Sequence, residues 1–543
     1  MSVPRRSTRR LLGAVTALLA SVLVIAGCAH GGGRSPSALP TAEGPQPAVV
    51  QTASGAVRGV VAPGYRVFDG IPYAAPPVGP LRWAPPAPPA SWPGVRDATR
   101  PGLRCPQDTR TDPDYGRPTG EDCLNLNVWT PDGASSAHPR PVMVWIHGGG
   151  FLNGSADIYD ARWLVTQGDI VVVTVNYRLG TLGFLAHPAL GRGGDVGNYG
   201  LADQQAALRW VRDNVGNFGG DPDKVTIAGE SAGAMSVCDH LVAPESAGLF
   251  HAAILQSGPC QTQADLPTAQ RVSRDYAAGV GCAQEATAAA CLRALPADRL
   301  QKPPFYVGFG ADKLTGPVTG TDRLPADPMT AIALNRVPRV PVLIGTNTDE
   351  FTLFTGIEYL QHDGLPPYPE LLADTFGVDA AAVGAHYPLQ NYGGSAGLAY
   401  SAAVTDGEFA CPADRMANGL VHTGPVYSYE FNDRTAPAPD PFLQLPFPVG
   451  ASHGLELRYL FDIGGAPPLN PAQRRLSDQM IAYWTGFVRN GVPDAEGEPR
   501  WPRLDAGGST GPRLSLQTGD PTITTDYAAR HQCAFWATLT GTR

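Results

Sequence analysis

The sequence predicts an α/β architecture in which a mostly parallel central sheet is flanked by helices and joined by long loop insertions. Three observations carry that expectation. Near-continuous apolar runs recur at Val142–Ile146, Ile170–Asn176, Val225–Ala228, Ala252–Gln256, Val340–Gly345 and Val426–Phe431, as strands buried on both faces require. Helical patterns fall between several of them, most clearly in Leu201–Val211, where Leu201, Leu208 and Val211 share one face, and alternating strands and helices pack as layers. The run ending at Ala228 passes through Gly229-Glu230-Ser231-Ala232-Gly233 directly into Met235–Leu241, a segment that can be helical.

The chain opens on Arg5, Arg6, Arg9 and Arg10, then the apolar stretch Leu11–Ala26 and Gly27-Cys28. That is the layout of an export signal, and its apolar part is short for a membrane span. Ile25-Ala26-Gly27-Cys28 resembles the bacterial lipoprotein cleavage site. Residues 1–27 are therefore expected to be removed, with Cys28 as the lipidated mature N-terminus and a cell-membrane anchor. An ordinary cleaved signal, giving a secreted protein, is the other reading, and Arg9-Arg10-Leu11-Leu12 hints at twin-arginine export. Residues 28–48 are small, polar and proline-rich, the composition of a flexible tether. One catalytic domain is expected over 49–543.

Hydrophobic residues make up 43% of the chain, ample for a large core, and the 64 glycines and 54 prolines are spread as in an enzyme with many loops. There is no internal repeat. With 49 acidic against 40 basic residues the net charge is -9, so no basic surface is expected to neutralise phosphates and nucleic acid is not an expected partner.

Nine cysteines in an exported chain point to disulfides, and assigning Cys28 to lipid leaves eight. The spacings suggest Cys105 with Cys123, Cys282 with Cys291 and Cys411 with Cys533, with Cys238 and Cys260 as the remainder. No cysteines have C-x-x-C spacing and no histidines H-x-x-x-H spacing, so no metal site is expected.

Ser231 carries the chemistry. A strand that turns sharply into a helix lifts a serine hydroxyl above the sheet, and flanking glycines leave room for the backbone. G-x-S-x-G recurs at Gly393–Gly397 and Gly507–Gly511, around Ser395 and Ser509, but neither follows an apolar run, so both read as glycine turns with a solvated serine. Upstream, Val142–Ile146 runs into His147-Gly148-Gly149-Gly150-Phe151. Residues without side chains let backbone N–H groups face the oxyanion of a tetrahedral intermediate, and losing one such donor costs about 2.7–4 kcal/mol. Gly149 and Gly150, with Ala232 after the serine, are the expected donors; alone, the loop would read as a flexible turn.

A serine nucleophile needs a base and an acid that follow it in the chain. His453 lies in the glycine-flanked turn Gly450–Leu457, whereas His386 and His422 have ordinary polar surroundings. The strand-end segment Pro341–Glu350 offers both Asp349 and Glu350 as the acid.

From Val49 to Trp536 the chain resembles the type B carboxylesterases, the family of para-nitrobenzyl esterases and cholinesterases. The resemblance rests first on Phe218–Pro222 leading to Gly229–Gly233 and on Glu121-Asp122-Cys123-Leu124. Phe68–Ala74, Asn176-Tyr177-Arg178, Gln256-Ser257-Gly258, Gly450–Gly454 and Phe487–Gly491 extend it. It implies an α/β-hydrolase fold and a Ser231, His453, Glu350 triad acting without a cofactor on small to medium carboxylic esters. The family acid is the glutamate of an Asn-x-Asp-Glu-Gly segment, which selects Glu350 over Asp349, although Phe351 stands where the family usually has glycine. Asn125 replaces the usual aromatic or threonine. The resemblance also implies the first three disulfides, leaving Cys238 with Cys260 as an inference of its own, and marks Glu230 and Ser257 as supporting polar groups.

Between Cys105 and Cys123, Tyr115 is the only aromatic, with no tryptophan to face a quaternary ammonium, and Gln107–Asp114 is polar where related lipases carry an apolar lid. Cholinesterase and true lipase are thus disfavoured. The same triad also serves amides, carbamates and lactones. The opposing class is a non-catalytic surface interaction protein on the same fold, against which the intact constellation argues.

Overall fold

The computed structural model describes residues 48–108, 117–191, 196–310, 312–505 and 511–539. The expected leader, the tether with Cys28 up to residue 47, Tyr115, residues 109–114 of the polar first loop, and Ser509 lie outside the described residues.

All six apolar runs form strands, and they lie side by side. An eleven-stranded sheet contains a parallel set in the spatial order Val171–Val175, Arg140–Ile146, Gly220–Glu230, Ala252–Gln256, Val342–Asn347, Val426–Phe431 and Arg513–Leu516. Antiparallel strands finish both edges: Asn125–Pro131, Tyr65–Pro72 and Val60–Ala62 at one, Thr522–Thr524 at the other. Asn125 is held at its position by its amide, which donates to the carbonyls of Leu103 and Cys123 at 3.1 and 3.0 Å.

Alternation along each strand feeds two cores. From Arg140–Ile146, Val142, Val144 and Ile146 enter one core with Ala207, Leu208 and Val211 of the helix Tyr199–Asn214. Met143 and Trp145 enter the other, against Leu476, Met480, Trp484 and Phe487 of the helix Pro471–Asn490. The sheet is thus covered on both faces. A third, aromatic-rich cluster around Phe309, Phe351, Tyr400 and Phe409 sits apart from both.

The helix Pro471–Asn490 begins on a full capping box. Asn470 accepts from the amides of Ala472 and Gln473 at 2.9 and 3.0 Å, and Gln473 Oε1 accepts from Asn470 N at 3.0 Å. Asn470→Ala is expected to lower unfolding stability by about 1 kcal/mol, measured as a lower denaturant midpoint with kcat unchanged.

All four cysteine pairs are joined, with Cα–Cα distances of 5.0 Å for Cys105–Cys123, 6.1 Å for Cys238–Cys260, 5.6 Å for Cys282–Cys291 and 5.2 Å for Cys411–Cys533. Cys238–Cys260 ties the helix after Ser231 to the loop after Gln256. Ser395 corrects its expected role as a solvated filler: its side chain caps the helix Ala396–Val404 by accepting from Leu398 N at 3.2 Å.

Candidate active site

The strand Gly220–Glu230 and the helix Ala232–Val242 meet at Ser231, whose φ of 56° and ψ of −125° hold the backbone in a sharp, strained turn. Ser231 N donates to Gln256 O at 2.9 Å and Ser231 O accepts from Met235 N at 2.9 Å, so strand and helix both pin it. The flanking glycines are a packing requirement. A Cβ on Gly233 would lie 2.0 Å from Ile146 O, and one on Gly229 2.4 Å from Gly233 C.

The glycine loop lies directly against this turn, since a Cβ on Gly148 would stand 3.0 Å from Ser231 Cβ. Gly149 and Gly150 take φ values of 102° and 61°, a region that suits glycine. Gly149 O accepts from the amides of Leu152 and Asn153 at 2.9 and 3.1 Å, and Tyr177 Oη donates to His147 O at 2.8 Å. His147 stacks on Tyr177 with ring centroids 4.4 Å apart, and burial lowers its pKa to about 4, keeping it neutral. The N–H groups of Gly149, Gly150 and Ala232 have no acceptor among the described residues.

His453 follows the turn at Gly450. Its Nδ1 donates to Glu350 Oε2 at 2.6 Å, while Asn347 N donates to the other carboxylate oxygen at 2.7 Å. Glu350 is wholly buried at the end of Val342–Asn347. Asp349 points elsewhere, accepting from Ala451 N and the Arg434 guanidinium at 3.0 and 2.9 Å. His386 stacks on Phe535, and His422 is exposed.

The second imidazole nitrogen, Nε2, is 3.1 Å from Glu230 Oε1, but neither atom is in a hydrogen bond among the described residues. Burial disfavours a charge on His453, yet Glu230 and Glu350 outweigh it and raise the pKa to about 9. Burial likewise raises Glu230 to about 8, against the pull of His453. Replacing Glu230 by Gln removes a carboxylate that favours the imidazolium, so the pKa of His453 falls. The rising limb of the kcat/KM profile is expected to move to lower pH in Glu230→Gln; a limb that stays put or moves upward contradicts that coupling.

Sequence reasoning missed a third buried carboxylate. Glu456, one turn past His453 in the 3-10 segment Leu455–Tyr459, accepts from Asn347 Nδ2 at 2.6 Å and from Gln256 Nε2 at 3.1 Å. Trp484 Nε1 donates to Gln256 Oε1 at 2.9 Å. Burial raises Glu456 to about 7. The available signal was a lone glutamate between Leu455 and Leu457. Ser257, expected as a supporting group, is buried at φ 54°; its amide donates to Gly345 O at 2.8 Å, and its Oγ has no hydrogen-bond partner among the described residues.

The arrangement joins a strained, half-buried turn bearing a hydroxyl, backbone donors without an acceptor among the described residues and a carboxylate-held imidazole, the equipment of acyl transfer. Comparison with known proteins identifies the family. A sequence profile of the Carboxylesterase family matches residues 46–536. The chain is 36% identical over 481 residues to the cocaine esterase of Oryctolagus cuniculus, covering 81% of this chain and 86% of that one. It is 37% identical over 483 residues to the acylcarnitine hydrolase of Mus musculus, covering 81% and 82%. With the fumonisin B1 esterase of Sphingopyxis macrogoltabida it shares 35% over 478 residues, 85% of each. With a family match across nearly the whole described chain and esterase relatives at this identity, the chain belongs to the carboxylesterase family and is a carboxylic ester hydrolase.

Proposed function

We propose that this esterase hydrolyses small to medium carboxylic esters with Ser231 as nucleophile, His453 as general base and acid, and Glu350 as the group that orients His453. The carrying observation is the imidazole itself: Nδ1 is committed to Glu350 at 2.6 Å, which fixes the tautomer, and Nε2, on the side of Glu230, the neighbour of Ser231, has no hydrogen-bond partner among the described residues.

In this reading His453 Nε2 takes the Ser231 proton as Oγ attacks the ester carbonyl. The N–H groups of Gly149, Gly150 and Ala232 receive the charge on the carbonyl oxygen. His453 returns the proton to the departing alcohol oxygen, leaving an acyl-serine. Water, deprotonated by the same nitrogen, then releases the acid and restores Ser231. Relatives named for cocaine, acylcarnitine and fumonisin B1 support organic small molecules as the substrate class.

The test is a series of para-nitrophenyl esters from acetate to palmitate. Turnover that peaks at short chains and falls toward palmitate is expected; turnover that peaks at palmitate, or none from folded protein, overturns the proposal.

The basic, apolar N-terminus ending at Cys28 supports export and lipid anchoring. Cys28→Ser is expected to move the protein from the membrane fraction to the soluble fraction. Unchanged membrane association overturns the anchor.

A further inference from the structure

The short segment that bears Glu350 is held on both sides of the glutamate, by two different elements. Before it, Thr348 N donates to Phe431 O at 3.0 Å and the Thr348 hydroxyl lies 3.2 Å from Glu430 Oε1, both on the strand Val426–Phe431. After it, Phe351 N donates at 2.9 Å to Thr405 Oγ1, on the π-helical turn Thr405–Ala410. The position of Glu350 therefore depends on how the strand and the π-turn sit against each other.

His531, near the C-terminus, bridges those two elements. Its Nδ1 meets Asp406 Oδ1 of the π-turn at 2.5 Å, and its Nε2 meets Glu430 Oε1 of the strand at 3.0 Å. All three side chains are buried. An ionised carboxylate only accepts, so two ring nitrogens that each face one must both carry a proton, which is the imidazolium. Both carboxylates have further donors: Tyr387 Oη gives to Asp406 Oδ2 at 2.7 Å, and Arg530 Nη1 gives to Glu430 Oε1 at 3.1 Å.

The charges around the ring agree with that state. Burial works against a charge on His531, but Asp406 and Glu430 outweigh it and raise its pKa to about 10. Burial would raise Glu430 as well, yet His531 and Arg530 pull it down to about 2. Asp414 of the helix Cys411–Leu420 is paired with Arg513, and Asp526 with Arg530. The Tyr527 ring lies 4.5 Å from the imidazole between centroids, its hydroxyl kept neutral by burial.

We infer that His531 is a positioning residue for ester hydrolysis: as a buried imidazolium it clamps the π-turn to the strand, and through Asp406 and Glu430 it holds Glu350 in place beneath His453. This rests on the reading of Glu350 as the group that orients His453. The sign of its pH dependence follows from the raised pKa. The clamp's stability is complete below the ordinary histidine value of 6.5 and is lost as pH rises toward about 10.

The experiment compares kcat and KM for para-nitrophenyl acetate at neutral pH in wild type, His531→Gln and Asp406→Asn, beside melting temperatures taken from about pH 6 to about pH 10. Glutamine removes the charge, whereas asparagine keeps an acceptor for Tyr387 and withdraws only the carboxylate from His531. Both variants are expected to fold, with kcat about 10-fold to 100-fold lower and KM little changed, the scale of a small misplacement at the reacting groups. The gap in melting temperature between wild type and His531→Gln is expected to be widest at the acid end and to close toward the alkaline end. A folded variant with wild-type kcat, which would make His531 a structural residue only, overturns the inference. So does a loss confined to KM, a melting gap that ignores pH, or failure of both variants to fold. Failure of the underlying reading looks different: Glu350→Gln with wild-type kcat would dismiss Glu350 as the orienting acid, whatever the melting gap does with pH.

Discussion

Ser231→Ala is expected to lower kcat for para-nitrophenyl acetate by about 10⁵-fold to 10⁶-fold, the scale on which losing a triad nucleophile is felt. The remaining rate would come from the backbone donors and substrate binding. The fold should be untouched. Alanine needs no more room than serine at φ 56°, the Ser231 amide and carbonyl keep their bonds to Gln256 and Met235, and the hydroxyl makes no hydrogen bond among the described residues. Steady-state rates beside a thermal melt check both halves. A folded variant with more than a tenth of wild-type activity contradicts the assignment.

Glu350→Gln is the second large effect, with kcat expected to fall about 10⁴-fold, as for the acid-to-amide change in a serine protease triad. The carboxylate accepts from two donors at once, Asn347 N at 2.7 Å and His453 Nδ1 at 2.6 Å. A glutamine carries only one acceptor oxygen, so its NH₂ must face one of those N–H groups. If it faces His453, Nδ1 must become the acceptor and the proton moves to Nε2, the nitrogen required to be free. KM should change little, since Glu350 is wholly buried. A rise in KM with kcat preserved would place its role in binding instead.

Much of the fold was legible because the central strands are buried on both faces. A strand such as Val171–Val175 has no solvent side to spend on polar residues. The edges were less legible for the same reason. Tyr65–Pro72 mixes Arg66 and Asp69 with apolar residues and is bulged between Phe68 and Ile71, and Arg513–Leu516 opens on an arginine paired with Asp414. The helix Pro471–Asn490 has a readable start in Asn470-Pro471 with Gln473, whereas the family resemblance touches only its last turn, at Phe487–Gly491.

In the site, Ser231 and the glycine loop were readable because their constraints are local: a turn that needs glycines announces them in sequence. Choosing Glu350 over Asp349 was not local, because which of two adjacent acids faces His453 is decided by Ala451 and Arg434, about a hundred and 85 residues further on. Glu456 was hidden in the same way, its partners Asn347 and Gln256 standing 109 and 200 residues away along the chain. Phe351 was legible only as a departure from the family pattern; the room for its ring is given by Gly310, where a Cβ would lie 2.3 Å from Phe351 Cζ.

The most direct test of the central claim is to treat the mature protein with a fluorophosphonate ester and measure intact mass, then map the modified peptide. One adduct per chain, on Ser231, with ester hydrolysis lost in proportion to labelling, is the predicted result. Labelling at Ser395 or Ser509, or full activity in a chain modified at Ser231, would contradict it.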